Sequence, residues 1–240
     1  MGRVIPGLIG VFALATAMVI WLHFQSAPDP PAPAPGLPAP RPSHSAAIPN
    51  RLAYDTARAT LNRLPVKGWD RNTDFTRYRF GEPWSDDVNV EFGLNGCNTR
   101  DDILRRDLAD LVVRPGTCYA QSGVLHDPYT GQAMAFTRGP TTSEAVQIDH
   151  LVSLSDAWYK GARGWNDQRR RDFANDPRNL LAVAGQANFD KAFRDATAWL
   201  PPNAAFRCDF VARQIDVKAA YGLWLSKNEK RAMEDVLARC

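Results

Sequence analysis

Histidine is scarce in this 240-residue chain, with four in all. His23 and His44 fall in N-terminal segments that do not resemble a folded domain. His126 and His150 are left for that domain, which excludes a zinc site built on several histidines. No CxxC pair occurs among the four cysteines, so the spacing of a zinc ribbon or finger is missing too. There is no GxSxG elbow, HExxH helix or Walker-type loop, which removes the common serine-hydrolase, zinc-protease and nucleotide-triphosphatase signatures. Neither sign of charge is in large excess. A net +3 allows a polyanionic partner without demanding one.

Charged side chains are absent from residues 4–22, and Arg3 alone precedes them. Nineteen such residues are about enough to span a bilayer as a helix. The expectation for residues 1–25 is an N-terminal membrane anchor or a signal peptide. An uncleaved anchor is favoured, because no small-x-small site closes the apolar run cleanly; cleavage after Ser26-Ala27 is the alternative. Either way the remainder lies outside the cytoplasm if Arg3 stays inside, so the chain is expected to be membrane-anchored or secreted. Residues 27–42 hold eight prolines in sixteen positions. The 26–47 stretch is therefore an extended, semi-rigid spacer.

An even number of cysteines in an exported chain suggests disulfides. Of the three connectivities, Cys97–Cys118 with Cys208–Cys240 is favoured. The first pair would close a strand-rich region, and the second would pin the C-terminal residue onto the last helices. Buried free thiols are the alternative.

From residue 48 the chain turns globular, and 45% hydrophobic against 23% charged residues suits one domain. Apolar spacing gives a helix over 53–64 and a short one over 99–110. Trp69, Tyr78, Phe80 and Trp84 are expected to pack over the domain, with base stacking as the lesser alternative. Strands are expected at 111–114, 117–125, 133–138 and 144–151. The DPYTG turn at 127–131 joins the second and third as a hairpin, with His126 beside it as a turn residue. Two amphipathic helices are expected at 208–225 and 228–238, as a brace.

The chemistry concentrates in residues 147–194. Asp149 and His150 stand side by side at the end of an apolar run. Asn179 and Asn188 lie nine residues apart, with Lys191 and Arg194 three and six residues further on. Histidine is the natural base near neutral pH. A hard divalent ion prefers oxygens such as an Asp carboxylate and an Asn carbonyl. Neighbours on a regular strand point to opposite faces, so Asp149 and His150 serve one site only if the strand ends or bends between them. Residues 184–198 read as a helix that carries Asn188, Lys191 and Arg194 on roughly one face. The bland readings are an Asp-His structural pair, Asn179 as a turn residue, and Lys191 with Arg194 as a solvated helix face. Between Lys160 and Lys218 there are 11 Lys or Arg against 7 Asp. The run Arg169, Arg170 and Arg171 is either a solvated face or a second phosphate contact.

The Asp-His pair followed by Asn-x8-Asn-x2-Lys resembles the ββα-metal finger of HNH endonucleases. In particular it is similar to secreted or membrane-anchored actinobacterial proteins related to the C-terminal nuclease domain of the GmrSD restriction enzymes. The motif covers about a fifth of the chain, and a looser likeness runs from Tyr54 to Cys240, including GCNTRDDILRRDL and SGVLHDPYTG. The resemblance implies an α+β fold, with the finger (about 132–198) embedded in a small mixed domain (48–240) with C-terminal helices. It implies His150 as general base, and Asp149 and Asn188 as ligands of one divalent metal ion, Mg2+ favoured and Mn2+ an alternative. Asn179 would fix the loop through backbone hydrogen bonds, and Lys191, with Arg194, would grip phosphate. The implied activity is metal-dependent hydrolysis of nucleic acid, DNA favoured over RNA, with low sequence specificity. No protein partner is evident. The rivals are a non-catalytic surface module that binds nucleic acid or another anionic polymer, and a phosphodiesterase on another substrate.

Overall fold

The computed structural model describes residues 51–70 and 74–240. The expected anchor or signal (1–25) and the proline spacer (26–47) lie outside the described residues. Among the described residues no helix is long and apolar enough to cross a membrane.

Helix α1 (Arg51–Arg63) and helix α2 (Thr99–Asp107) agree with their apolar spacing. Asn98 caps α2, its side chain accepting from the Asp101 amide. Strands β1 (Leu108–Val113), β2 (Ala120–His126) and β3 (Ala133–Thr137) form an antiparallel meander. Asp127 closes the β2–β3 turn: its carboxylate accepts from the amides of Tyr129, Thr130 and Ala184.

Strand β4 (Val146–His150) pairs antiparallel with β5 (Leu180–Ala184), and α5 (Gly185–Lys191) follows directly. Between them lie α3 (Leu154–Tyr159) and α4 (Asp167–Asn175). All five residues of β5 are buried, which explains its unbroken apolar sequence LLAVA. The expected strand over 144–151 is shorter, because Ser143–Ala145 forms a 3-10 turn.

The two-stranded sheet separates two layers. Val146, Ile148, Leu180 and Ala182 pack with Ile103 and Leu104 of α2 and with Leu108, Leu125 and Phe136 of the meander. Leu181 and Val183 pack on the other side, with α1 and with helices α6 (Arg207–Tyr221) and α7 (Lys227–Leu237). The C-terminal helices thus brace the finger, as the sequence suggests. Both expected disulfides are present, Cys97–Cys118 and Cys208–Cys240, with Cα separations of 5.6 and 5.9 Å. The fold is α+β.

Candidate active site

The strand stays regular through its last residue. Asp149 pairs with Leu181 and His150 with Leu180, so the two side chains enter opposite layers. The bend that would bring them to one point is absent.

His150 lies on the α2 side and is buried. Trp84 stacks on it, ring centroids 5.8 Å apart and planes 13° from parallel. Its Nε2 lies 2.8 Å from the Ala174 carbonyl oxygen. A carbonyl can only accept, so Nε2 carries the proton and Nδ1 keeps its lone pair. Burial, reinforced by the charge of Arg77, pushes the imidazole down to about 3, so it is neutral at working pH. A cleft lined by Arg77, Glu82, Trp84, His150 and Leu154 adjoins the ring, with a volume of about 10 Å³. That is about the space of one water molecule. Trp84 sits there at a φ of 59°, a backbone setting uncommon for a bulky side chain.

Asp149 lies on the C-terminal helix side. Lys191 Nζ donates to Asp149 Oδ1 at 3.0 Å and to the His150 carbonyl oxygen at 2.8 Å. The Tyr129 hydroxyl donates to Asp149 Oδ2. Tyr129 and Lys191 are fully enclosed. Burial raises the Asp149 carboxyl above its usual range, and the Lys191 charge opposes that rise. Tyr129 is held well above its ordinary value by burial and by the Asp149 charge. Lys191 therefore differs from the expected phosphate contact: its ammonium faces inward and is consumed by Asp149 and the strand end.

Asn179 is fully buried. Its Oδ1 accepts from the Val152 amide at 2.8 Å and its Nδ2 donates to the Val152 carbonyl at 3.2 Å. These bonds fix the loop that leaves His150. Asn188 donates from Nδ2 to Gln147 Oε1 at 2.8 Å. The helix carrying it stops at Lys191, not at residue 198. Ala192 has φ 49° and ψ −123°, which breaks the helical path. Arg194 consequently lies beyond the helix, exposed, donating to the Asp190 carbonyl. The arginine run is turned to protein partners: Arg169 donates to the Tyr221 carbonyl, Arg170 to the Arg79 carbonyl and Asp167, and Arg171 to Gln168.

The divalent ion implied for Asp149 and Asn188 was tested against this geometry. Both oxygens of Asp149 are engaged, one by an ammonium and one by a phenol. The donor set does not fit a cation in this arrangement. Among the described residues, one trio of acidic groups is close enough to hold a metal: Asp156, Asp195 and Glu229. Lys160 and Lys218 already fill it, with Nζ to Asp195 and Glu229 at 2.8 and 2.6 Å for Lys160, and to Asp156 and Glu229 at 2.7 and 2.9 Å for Lys218. It is a buried ion-pair network that ties α3, α6 and α7 together.

With this geometry in view, the comparisons decide the family. Residues 98–236 match the family of GmrSD restriction endonucleases, C-terminal domain. The chain belongs to this family. The matched span holds the finger and both C-terminal helices. The chain is also 34% identical over 195 residues to a protein of Arthroderma benhamiae named an uncharacterized secreted protein, covering 80% of this chain and 88% of that one. No solved structure matches significantly.

Four residues at these two centres were not singled out by sequence as part of the site: Arg77, Trp84, Tyr129 and Gln147. Arg77 and Trp84 precede the span matched to the restriction-endonuclease family. Tyr129 reads as part of a turn. Gln147 carried a usable signal, since it stands two residues before Asp149 and so shares its face.

Proposed function

We propose that this protein is an extracytoplasmic endonuclease of the HNH type that hydrolyses phosphodiester bonds of nucleic acid, with His150 Nδ1 as the base. The observation that carries this reading is the fixed tautomer. The Ala174 carbonyl holds the proton on Nε2 and leaves Nδ1 with its lone pair, on a ring that lines a space the size of one water. A water there can lose its proton to Nδ1 as its oxygen attacks phosphorus and the bond from phosphorus to the 3′ oxygen breaks, the leaving oxygen taking its proton from solvent. The arriving phosphate anion raises the imidazole from its depressed value of about 3 and so makes it a stronger base. Asn179 holds the loop that sets the ring's position, and Lys191 anchors the strand end through the His150 carbonyl. No step is derived through a divalent ion, because Asp149 is engaged by Lys191 and Tyr129.

Membership in a restriction-endonuclease domain family supports nucleic acid as the substrate. DNA is favoured, RNA is the alternative, and no sequence-reading module is apparent among the described residues. Two disulfides suit an oxidising compartment. The relative named as secreted supports the same location.

The test is cleavage of supercoiled plasmid by the full chain, with Mg2+, with Mn2+ and with EDTA, beside His150→Ala. Nicking that falls at least about a hundredfold in the folded variant is expected. A variant that nicks at the original rate would remove His150 as base. Loss of nicking in EDTA would show that the reaction needs a cation, which Asp149 in this arrangement does not hold. A folded chain that binds plasmid without nicking it would replace catalysis by binding.

A further inference from the structure

Arg77 differs from the arginines of α4 and its flanking loops. Arg169, Arg170 and Arg171 all donate to protein acceptors. Arg163 pairs with Asp74, and Arg178 with Asp176. Among the described residues Arg77 has no side-chain hydrogen bond and no ion pair, although it lines the cleft that His150 lines. Desolvation alone lowers its guanidinium below the usual value, with no carboxylate to compensate. Its charge is nevertheless felt at the imidazole. The Arg77 side chain is exposed, so its guanidinium remains open to an anion that can pair with it.

The surrounding chemistry selects the anion. Glu82 lines the same cleft but makes no ion pair with Arg77, so it leaves the guanidinium unclaimed while opposing every anion alike. Trp84 covers His150 in the cleft, and the segment that carries Arg77 continues with Tyr78, 85% exposed, and Arg79. Alternating cations and exposed aromatics suit a polynucleotide, whose phosphates and bases take the two kinds of contact.

We propose that Arg77 is the phosphate-binding residue of the His150 cleft, gripping non-bridging oxygens of the scissile phosphodiester of a nucleic acid. The inference rests on the reading of His150 as base, and it transfers the phosphate contact from the buried Lys191 to a segment outside the matched family span. A bidentate guanidinium would hold the phosphorus in line with the water-sized space beside Nδ1.

The experiment uses the full chain in a His150→Gln background, so that binding is read without turnover. Binding of a short DNA duplex is titrated against salt, with Arg77 intact, Arg77→Ala and Arg77→Lys. Plasmid nicking is measured in parallel with His150 intact. Losing one phosphate contact should reduce the slope of log K against log salt by about 0.9 and weaken binding several-fold. Arg77→Lys should keep the slope, because the charge is kept, yet lose nicking rate, because the two-pronged grip is lost. An unchanged slope in Arg77→Ala, with nicking still dependent on His150, would overturn the Arg77 assignment alone. A lowered slope in a chain that never nicks would keep the phosphate contact and overturn the hydrolase reading. A chain with Arg77 intact that binds no duplex would overturn both.

Discussion

Lys191 and Asp149 show what residue identity conveys and what it withholds. Their types and spacing point to a phosphate site, and the structure turns both inward around Tyr129. A buried carboxylate with a single ammonium partner depends on that partner heavily. Lys191→Met should therefore cost about 3–5 kcal/mol, because it leaves Asp149 buried and uncompensated. Tyr129→Phe removes one hydrogen bond to the same carboxylate and should cost less, about 1–3 kcal/mol. Asp149→Asn combined with Lys191→Met should recover part of the loss. Urea unfolding of the three variants checks the order; a Lys191→Met protein as stable as the parent would return the lysine to solvent and to phosphate. Asn179 was readable at this level, since a buried amide that bonds both backbone groups of one residue is the role its motif implies. The side chosen by Asp149 was not, because it depends on where the strand ends. That end is set by the loop bonds of Asn179 and by the covering layers, not by the residues DH themselves.

Elements were read better than their ends. The strand LLAVA, the two C-terminal helices and the β2–β3 hairpin follow from composition and period. The end of α5 does not, because neither Gly nor Pro marks it. Ala192 leaves the helical region, and the Asp195 turn then places its carboxylate in the buried ion-pair network with Lys160. The start of α5 is equally constrained. A Cβ added at Gly185 would lie 2.1 Å from the Glu144 carbonyl oxygen, a backbone atom where β4 and β5 meet. In an ordinary helix Gly→Ala stabilises by about 1 kcal/mol. Here the sign should reverse, with Gly185→Ala destabilising by about 1–3 kcal/mol as the strand end is pushed away. Chemical denaturation reads the sign directly. A stabilised variant would mean that the β4–α5 junction is looser than the contact implies.

Across the described domain, the two-stranded sheet is enclosed on both faces, and that enclosure governs the response to acid. His150 is neutral in the fold, with its value pushed from 6.5 to about 3 by burial first and by Arg77 second. The unfolded chain takes up a proton near 6.5 that the folded chain refuses. Stability from this group is thus complete above 6.5 and falls by about 1.4 kcal/mol per pH unit below it, down to the folded value. Asp149 and Glu229 act in the opposite sense: burial raises both, so acidification through their folded range favours the fold. Asp195 is held low by Lys160 against its own burial, and its contribution is lost only below the ordinary carboxylate value of 3.8. The carboxylates are shared by parent and His150→Gln, so the difference between the two isolates the histidine. Between about pH 7.5 and about pH 5.5 the parent should lose about 1.4 kcal/mol more than the variant, read from urea midpoints and slopes at each pH. Equal losses in the two proteins would place His150 in contact with solvent, free to take its proton while folded. The enclosed cleft, the tautomer fixed by Ala174 and the base reading would then all need a different ring position.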